Sequence, residues 1–282
     1  MDYERRASLL HAMGLGPLWR ERGAVDELKA ADALAEFKAE RERTPYAFGA
    51  LPQSPAPGLP MARVRNDGTD VGTSGGANGG EVRARAISQM DWTQLAATVS
   101  TCRACDLCRS RTQTVFGVGY QSARWMLVGE APGAEEDARG EPFVGQAGRL
   151  LDNMLATVGL SRAGSDQNSV YVANVLKCRP PGNRNPEPTE VAQCEPFLQR
   201  QIELVRPALI VVMGRFAAQS LLATDATIAS LRGRAHQIKS GDSVVPVVVT
   251  YHPAYLLRNL ADKAKAWADL CLARELFQRI SR

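Results

Sequence analysis

The sequence predicts an α/β fold: a three-layer sandwich in which a central, mostly parallel four-stranded sheet is flanked by helices and preceded by a partly disordered N-terminal extension. Three observations predict it. From Trp92 onward, short β-rich apolar runs alternate with amphipathic helical segments, the pattern of strand–helix–strand units. Between Thr44 and Gln89 the chain is rich in Pro, Gly, Ser and Ala and has no apolar period. A content of 45% hydrophobic and 23% charged residues over 282 positions suits a globular chain with enough length to bury its own core. The expected organisation is a helical extension over 1–43, a disordered linker over 44–91 and a packed domain over 92–282.

The elements follow in order. In the extension, Val25, Leu28, Leu34 and Phe37 fall at helical spacing. Such a helix is marginal alone; it is either a weakly ordered extension or a docking helix for a protein partner. In the packed domain four apolar runs read as buried parallel strands: Trp125 to Val128, Val170 to Leu176, Leu209 to Met213 and Val244 to Tyr251. Between the first two, Ala147, Leu150, Leu151, Met154, Leu155 and Val158 line one helical face, and Gly159 stops the helix. A helical segment from Glu190 to Val205, expected to break near Pro196, leads into the third strand, and Arg215 to Leu222 follows it. A closing helix spans Ala261 to Phe277.

A net charge of +4 permits a polyanionic partner without requiring one. The first residues mix acids with bases and lack the apolar core of a secretory signal, and no run reaches the ~18 apolar residues of a membrane span. The expectation is a monomer in a bacterial-type cytosol, where thiols stay reduced and six cysteines need a purpose other than disulfides.

In open α/β sheets, ligands bind outside the carboxyl ends of the strands. Three of the four ends carry chemistry. The first runs into Gly129-Glu130-Ala131-Pro132-Gly133, with Glu136 shortly after. The second brings Asn174 and then Lys177, Cys178, Arg179 and Arg184; the fourth delivers His252, Pro253 and the stretch to Arg258. The third, Gly214-Arg215, reads as structural. A carboxylate, an amide and an imidazole on one rim give hydrogen-bonding and acid–base capacity. Lys177, Arg179, Arg184 and Arg258 would surround that rim with charge suited to phosphates.

Cys102, Cys105 and Cys108 form two overlapping C-x-x-C units, and Cys178 and Cys194 come later. Clustered thiols in a reducing compartment point to metal, and a C-x-x-C pair with two distant cysteines could close a four-thiolate site for zinc or for an iron–sulfur cluster. Spacing does not choose between them. Cys271 lies on the apolar face of the closing helix and reads as a packing residue.

Taken together, CRACDLCRSRTQTVFGVG, LVGEAPGAEEDARGEPFVGQAGRLLDNML, YVANVLKCRPPGNRNPEP, CEPFLQRQIELVRPALIVVMG and YHPAYLLR resemble the family 4, iron–sulfur branch of the uracil-DNA glycosylases. The matching stretches run in order from Cys102 to Arg258, leaving about the first 90 residues outside. The resemblance implies that Cys102, Cys105, Cys178 and Cys194 hold a [4Fe-4S] cluster, with Cys108 a bystander. It also implies that Gly129, Glu130, Ala131, Phe143, Asn174 and His252 line a uracil pocket, and that the partner is uracil-containing DNA. In other branches an aspartate of the first motif orients the attacking water; here that position is Ala131, so Glu130 or Glu136 could take the role, or Glu136 could crowd the 5-position against thymine. The turn Pro253 to Arg258 resembles the loop that enters the duplex, with Leu256 or Leu257 filling the gap and Arg258 on a phosphate; plain helix packing is the alternative. Rival functions are excision of other deaminated bases and a non-catalytic, cluster-bearing polymerase accessory.

Overall fold

The computed structural model describes Met13 and residues 78–281 apart from 165–167 and 242. The helical extension over 1–43, Met13 excepted, and the linker up to residue 77 lie outside the described residues. Met13 itself is fully buried in the core.

The chain enters through helices α1 (Asn78–Ser88) and α2 (Trp92–Ser100). Helix α1 falls inside the stretch read as disordered linker, so the folded domain starts earlier than residue 92. One residue explains the miss: of the apolar side chains in α1, Ile87 is buried and Val82 is exposed, too few to produce a period. Helix α2 begins with a reciprocal cap, Gln94 N–H donating to Asp91 Oδ1 at 2.8 Å and Asp91 N–H to Gln94 Oε1 at 3.1 Å.

The sheet has six strands rather than four, in the order β1-β3-β2-β4-β6-β5. Strands β2 (Trp125–Gly129), β3 (Val170–Asn174), β4 (Leu209–Met213) and β6 (Ser243–Thr250) are the four expected ones and pair in parallel. Two antiparallel edges were not anticipated: β1 (Val118–Gly119) beside β3, and β5 (Ala235–Ser240) beside β6. The first is two residues long; the second, AHQIKS, is polar because one flank faces water.

Successive strand residues point to opposite faces, which sorts the core into layers. Trp125, Leu127, Val172, Val211 and Val248 face α4 (Gln146–Thr157) and α9 (Lys263–Ile280). Met126, Val128, Ala173, Ile210 and Val212 face the other way, toward α5 (Pro188–Val205), α6 (Arg215–Leu222) and the short α7 (Ile228–Leu231). A third core gathers Ile87, Leu95, Val99 and Leu107 around Cys178, Cys194 and Phe197. Helix α5 runs unbroken through Pro196. Proline removes one N–H, but the carbonyl it orphans belongs to Ala192, an exposed residue whose oxygen can turn to water.

Candidate active site and thiol pocket

Strands β2 and β3 end side by side, with Gly129 opposite Asn174. After β2 the chain turns through Gly133 into the short helix α3 (Ala134–Arg139), and Phe143 follows in the loop before α4. After β6, His252 caps the N-terminus of helix α8 (Pro253–Arg258). The three strand ends therefore meet beside the point where strand order reverses.

The contacts there are tight. A Cβ on Gly129 would stand 2.4 Å from Asn174 Oδ1 and 2.7 Å from Phe143 Cζ, so only glycine lets the amide and the ring close over this backbone. Asn174 is buried and its Oδ1 has no hydrogen-bond partner among the described residues, an acceptor held ready at a cost of about 1–3 kcal/mol. Phe143 is buried with φ of 56°, a left-handed conformation rare for a bulky residue. Arg162 holds it there, donating from Nη2 to the Phe143 carbonyl at 2.8 Å and from Nη1 to the Pro142 carbonyl at 3.0 Å. Gly148 also permits the turn, since a Cβ would fall 1.7 Å from the Phe143 oxygen.

The His252 ring stacks on Phe143 with centroids 5.3 Å apart. Its Nδ1 accepts from the Ala254 N–H at 3.2 Å, which assigns the ring proton to Nε2. Burial lowers its pKa to about 4, with Glu136 opposing and Arg258 assisting. The imidazole is thus a neutral N–H donor at physiological pH.

The two carboxylates divide. Glu136 Oε1 accepts from the Val144 and Gly145 amides at 3.0 and 3.4 Å, and Oε2 from Gly133 at 3.1 Å, so it ties the loop before α4 to α3. Glu130 sits half-buried; burial pushes its carboxyl up and Arg215 pulls it back. Arg215, at the strand end read as structural, is therefore electrically part of the site. Ala131 packs on the cysteine-side core, linking the pocket to the thiols.

The basic residues do not form the expected ring. Lys177 is buried, its Nζ donating to the Asn174 carbonyl at 2.7 Å and to Gln201 Oε1 at 2.6 Å, and burial lowers its pKa to about 8. It braces Asn174 and cannot meet a phosphate. Arg184 is paired with Glu190 and Glu187, and Arg179 bonds Asn183. Arg258 is exposed. Of the two leucines in α8, Leu256 is buried in the core and Leu257 is exposed. Helix periodicity explains the correction: Leu256 faces α4, and its neighbour faces out. Leu260, just beyond Arg258, is exposed as well.

Cys102, Cys105, Cys178 and Cys194 line one cavity, and Cys108 joins them there. Cys178 and Cys194 are buried; Cys102 and Cys105 are partly so. Burial pushes the Cys194 thiol up to about 12, opposed by the neighbouring Lys177. Donors already address the sulfurs: Arg111 Nη1 reaches Cys178 Sγ at 2.9 Å, and the Lys177 N–H reaches Cys194 Sγ at 3.3 Å. Among the described residues no three His, Cys, Asp or Glu side chains gather around a single point as one metal ion would require. Cys271 is half-buried on α9.

Among the described residues no helix is long and apolar enough to cross a membrane. Residues 116–271 match the family model of the uracil DNA glycosylase superfamily. Curated relatives include the type-4 uracil-DNA glycosylase of Archaeoglobus fulgidus, 47% identical over 163 residues that make up 56% of this chain and 79% of the relative. The type-4 enzyme of Sulfurisphaera tokodaii is 41% identical over 57% of this chain and 73% of its own length. That of Thermotoga maritima is 42% identical over 59% and 83%.

Proposed function

Since this chain belongs to the uracil DNA glycosylase superfamily, on its type-4 branch, we propose that it excises uracil from DNA by hydrolysing the N-glycosidic bond and leaving an abasic site. The observation that carries this reading is the buried Asn174 Oδ1, unpartnered among the described residues and held between Gly129 and Phe143 beside a neutral His252.

A base inside a duplex is out of reach, so the nucleotide is extruded at a cost of about a few kcal/mol. Asn174 accepts from uracil N3–H and donates to O4; cytosine presents the opposite pattern and leaves both groups of the amide unmatched. The Phe143 face receives the flipped ring. As the glycosidic bond breaks, its electron pair leaves with the uracil, and the negative charge collects largely on O2. His252 Nε2–H donates to that oxygen, a preorganised neutral donor that keeps its proton while the charge builds. Water adds to the sugar carbon and its proton passes to Glu130. Glu136 serves as the tie that positions the loop before α4 rather than as the base.

On the DNA side, Leu257 enters the gap and Arg258 meets a phosphate. Cys102, Cys105, Cys178 and Cys194, which line one cavity, would hold a [4Fe-4S] cluster through four thiolates. With all four thiolates engaged, these residues would tie the loop of Cys102 and Cys105 to the segment after β3 and to α5, and the chemistry would stay with the strand-end pocket. The enzyme works as a monomer in the cytosol, at the nucleoid; the domain comprises α1 onward, with the extension available to a protein partner.

The test is release of free base from oligonucleotides carrying uracil, hypoxanthine or thymine, using anaerobically purified protein. Uracil alone is released on this reading. Release of hypoxanthine in preference, or of nothing from iron-loaded protein, overturns it.

A further inference from the structure

We propose that Arg83, on a helix preceding the family-matching region, is a positioning residue of the thiol pocket that donates a charged hydrogen bond to the Cys102 sulfur and thereby tunes the group the four thiolates hold. The proposal rests on the cluster assigned above. Helix α1 lies N-terminal to residues 116–271, outside the span that the family model matches. Yet it is anchored onto the cysteine-side core, where Ile87 is 2% exposed.

Three contacts fix the Arg83 head. Nη1 donates to the Gln193 carbonyl at 2.8 Å, one residue along from the carbonyl that Pro196 orphans and next to Cys194. The guanidinium carbon stands 4.8 Å above the Phe197 ring. Nη2 is then left 3.8 Å from Cys102 Sγ. Arg111 does the same from another side, with Nη1 on Cys178 Sγ and Nη2 on the Cys102 carbonyl at 2.8 Å. Two of the four sulfurs thus face guanidinium groups, one of them supplied by helix α1.

A cationic donor beside a thiolate withdraws electron density from the sulfur, weakens its donation to iron and favours the more negative, reduced state of the cluster. Removing Arg83 should therefore strengthen the Fe–thiolate bond and make reduction harder. Deleting a salt-bridge partner on the surface would do neither.

The experiment compares full-length wild type with Arg83→Met, Arg83→Lys and Arg85→Met, the last an exposed residue of the same helix. The readouts are iron per chain, the cluster's one-electron potential and its Fe–S(Cys) stretching frequency by resonance Raman. Arg83→Met is expected to keep its iron, raise the stretching frequency and lower the potential by a tenfold change in the redox equilibrium, about 59 mV. Arg83→Lys returns most of both shifts, and Arg85→Met matches wild type. Iron-replete Arg83→Met with wild-type frequency and potential overturns the proposal while leaving the cluster standing. Wild type purified anaerobically without iron overturns the cluster assignment and this proposal with it. Should Arg83→Met lose iron, the Lys variant decides: wild-type values sustain a role for the charge, and values unrelated to wild type refute it.

Discussion

His252 owes its chemistry to where its two nitrogens are placed. The Ala254 amide occupies Nδ1, and burial holds the pKa at about 4 against 6.5 for an unperturbed imidazole. Below pH 6.5 the unfolded chain takes a proton that the folded chain refuses, so the stability from this group is complete above about pH 6.5 and is lost as pH falls toward 4. The same shift governs activity. We expect kcat/KM for uracil release to show no inflection from His252 between pH 8 and 5 and to fall only as pH nears 4, measured with a single-stranded substrate; a limb centred near 6.5 would contradict the neutral imidazole. The placement of His252 and Asn174 at strand ends was legible in the sequence because each directly follows or closes an apolar run. The brace from Lys177 was not: a lysine beside basic neighbours reads as surface charge, and only the fold shows it turned inward to the Asn174 carbonyl.

At the scale of elements, α8 shows what periodicity can and cannot assign. The run Tyr255-Leu256-Leu257-Arg258 does not say which leucine faces outward; packing against α4 buries Leu256 and leaves Leu257 outside. Leu257→Ala should reduce kcat/KM by about tenfold on duplex uracil substrates, where a gap must be filled, and leave single-stranded substrates unchanged. Equal losses on both would assign Leu257 to the base pocket instead. The loop before α4 was the opposite case. Phe143 was named from resemblance, but its left-handed backbone depends on Gly148 and Arg162, which contribute no chemistry and give no motif. Helix α1 and the edge strand β5 were missed for a related reason: each buries too little apolar surface to leave a period.

For the whole molecule, the parallel core of β2, β3, β4 and β6 was readable because each strand is apolar on both faces, whereas its antiparallel edges were not. The thiol pocket joins segments far apart in the chain, and its stoichiometry is a direct check on how the parts depend on one another. Cys178→Ser should lower iron content severalfold and reduce thermal stability, since the loop of Cys102 and Cys105 loses its tie to β3; Cys108→Ser, though its thiol lines the same cavity, should retain full iron. Loss of iron in Cys108→Ser would move the ligand set.

The most direct test is the single-turnover rate of uracil release at saturating enzyme, comparing wild type with His252→Ala. A preorganised donor to the departing base predicts a fall of about 100- to 1000-fold with DNA binding intact. A fall of less than about threefold would mean that the strand-end pocket does not perform the bond cleavage.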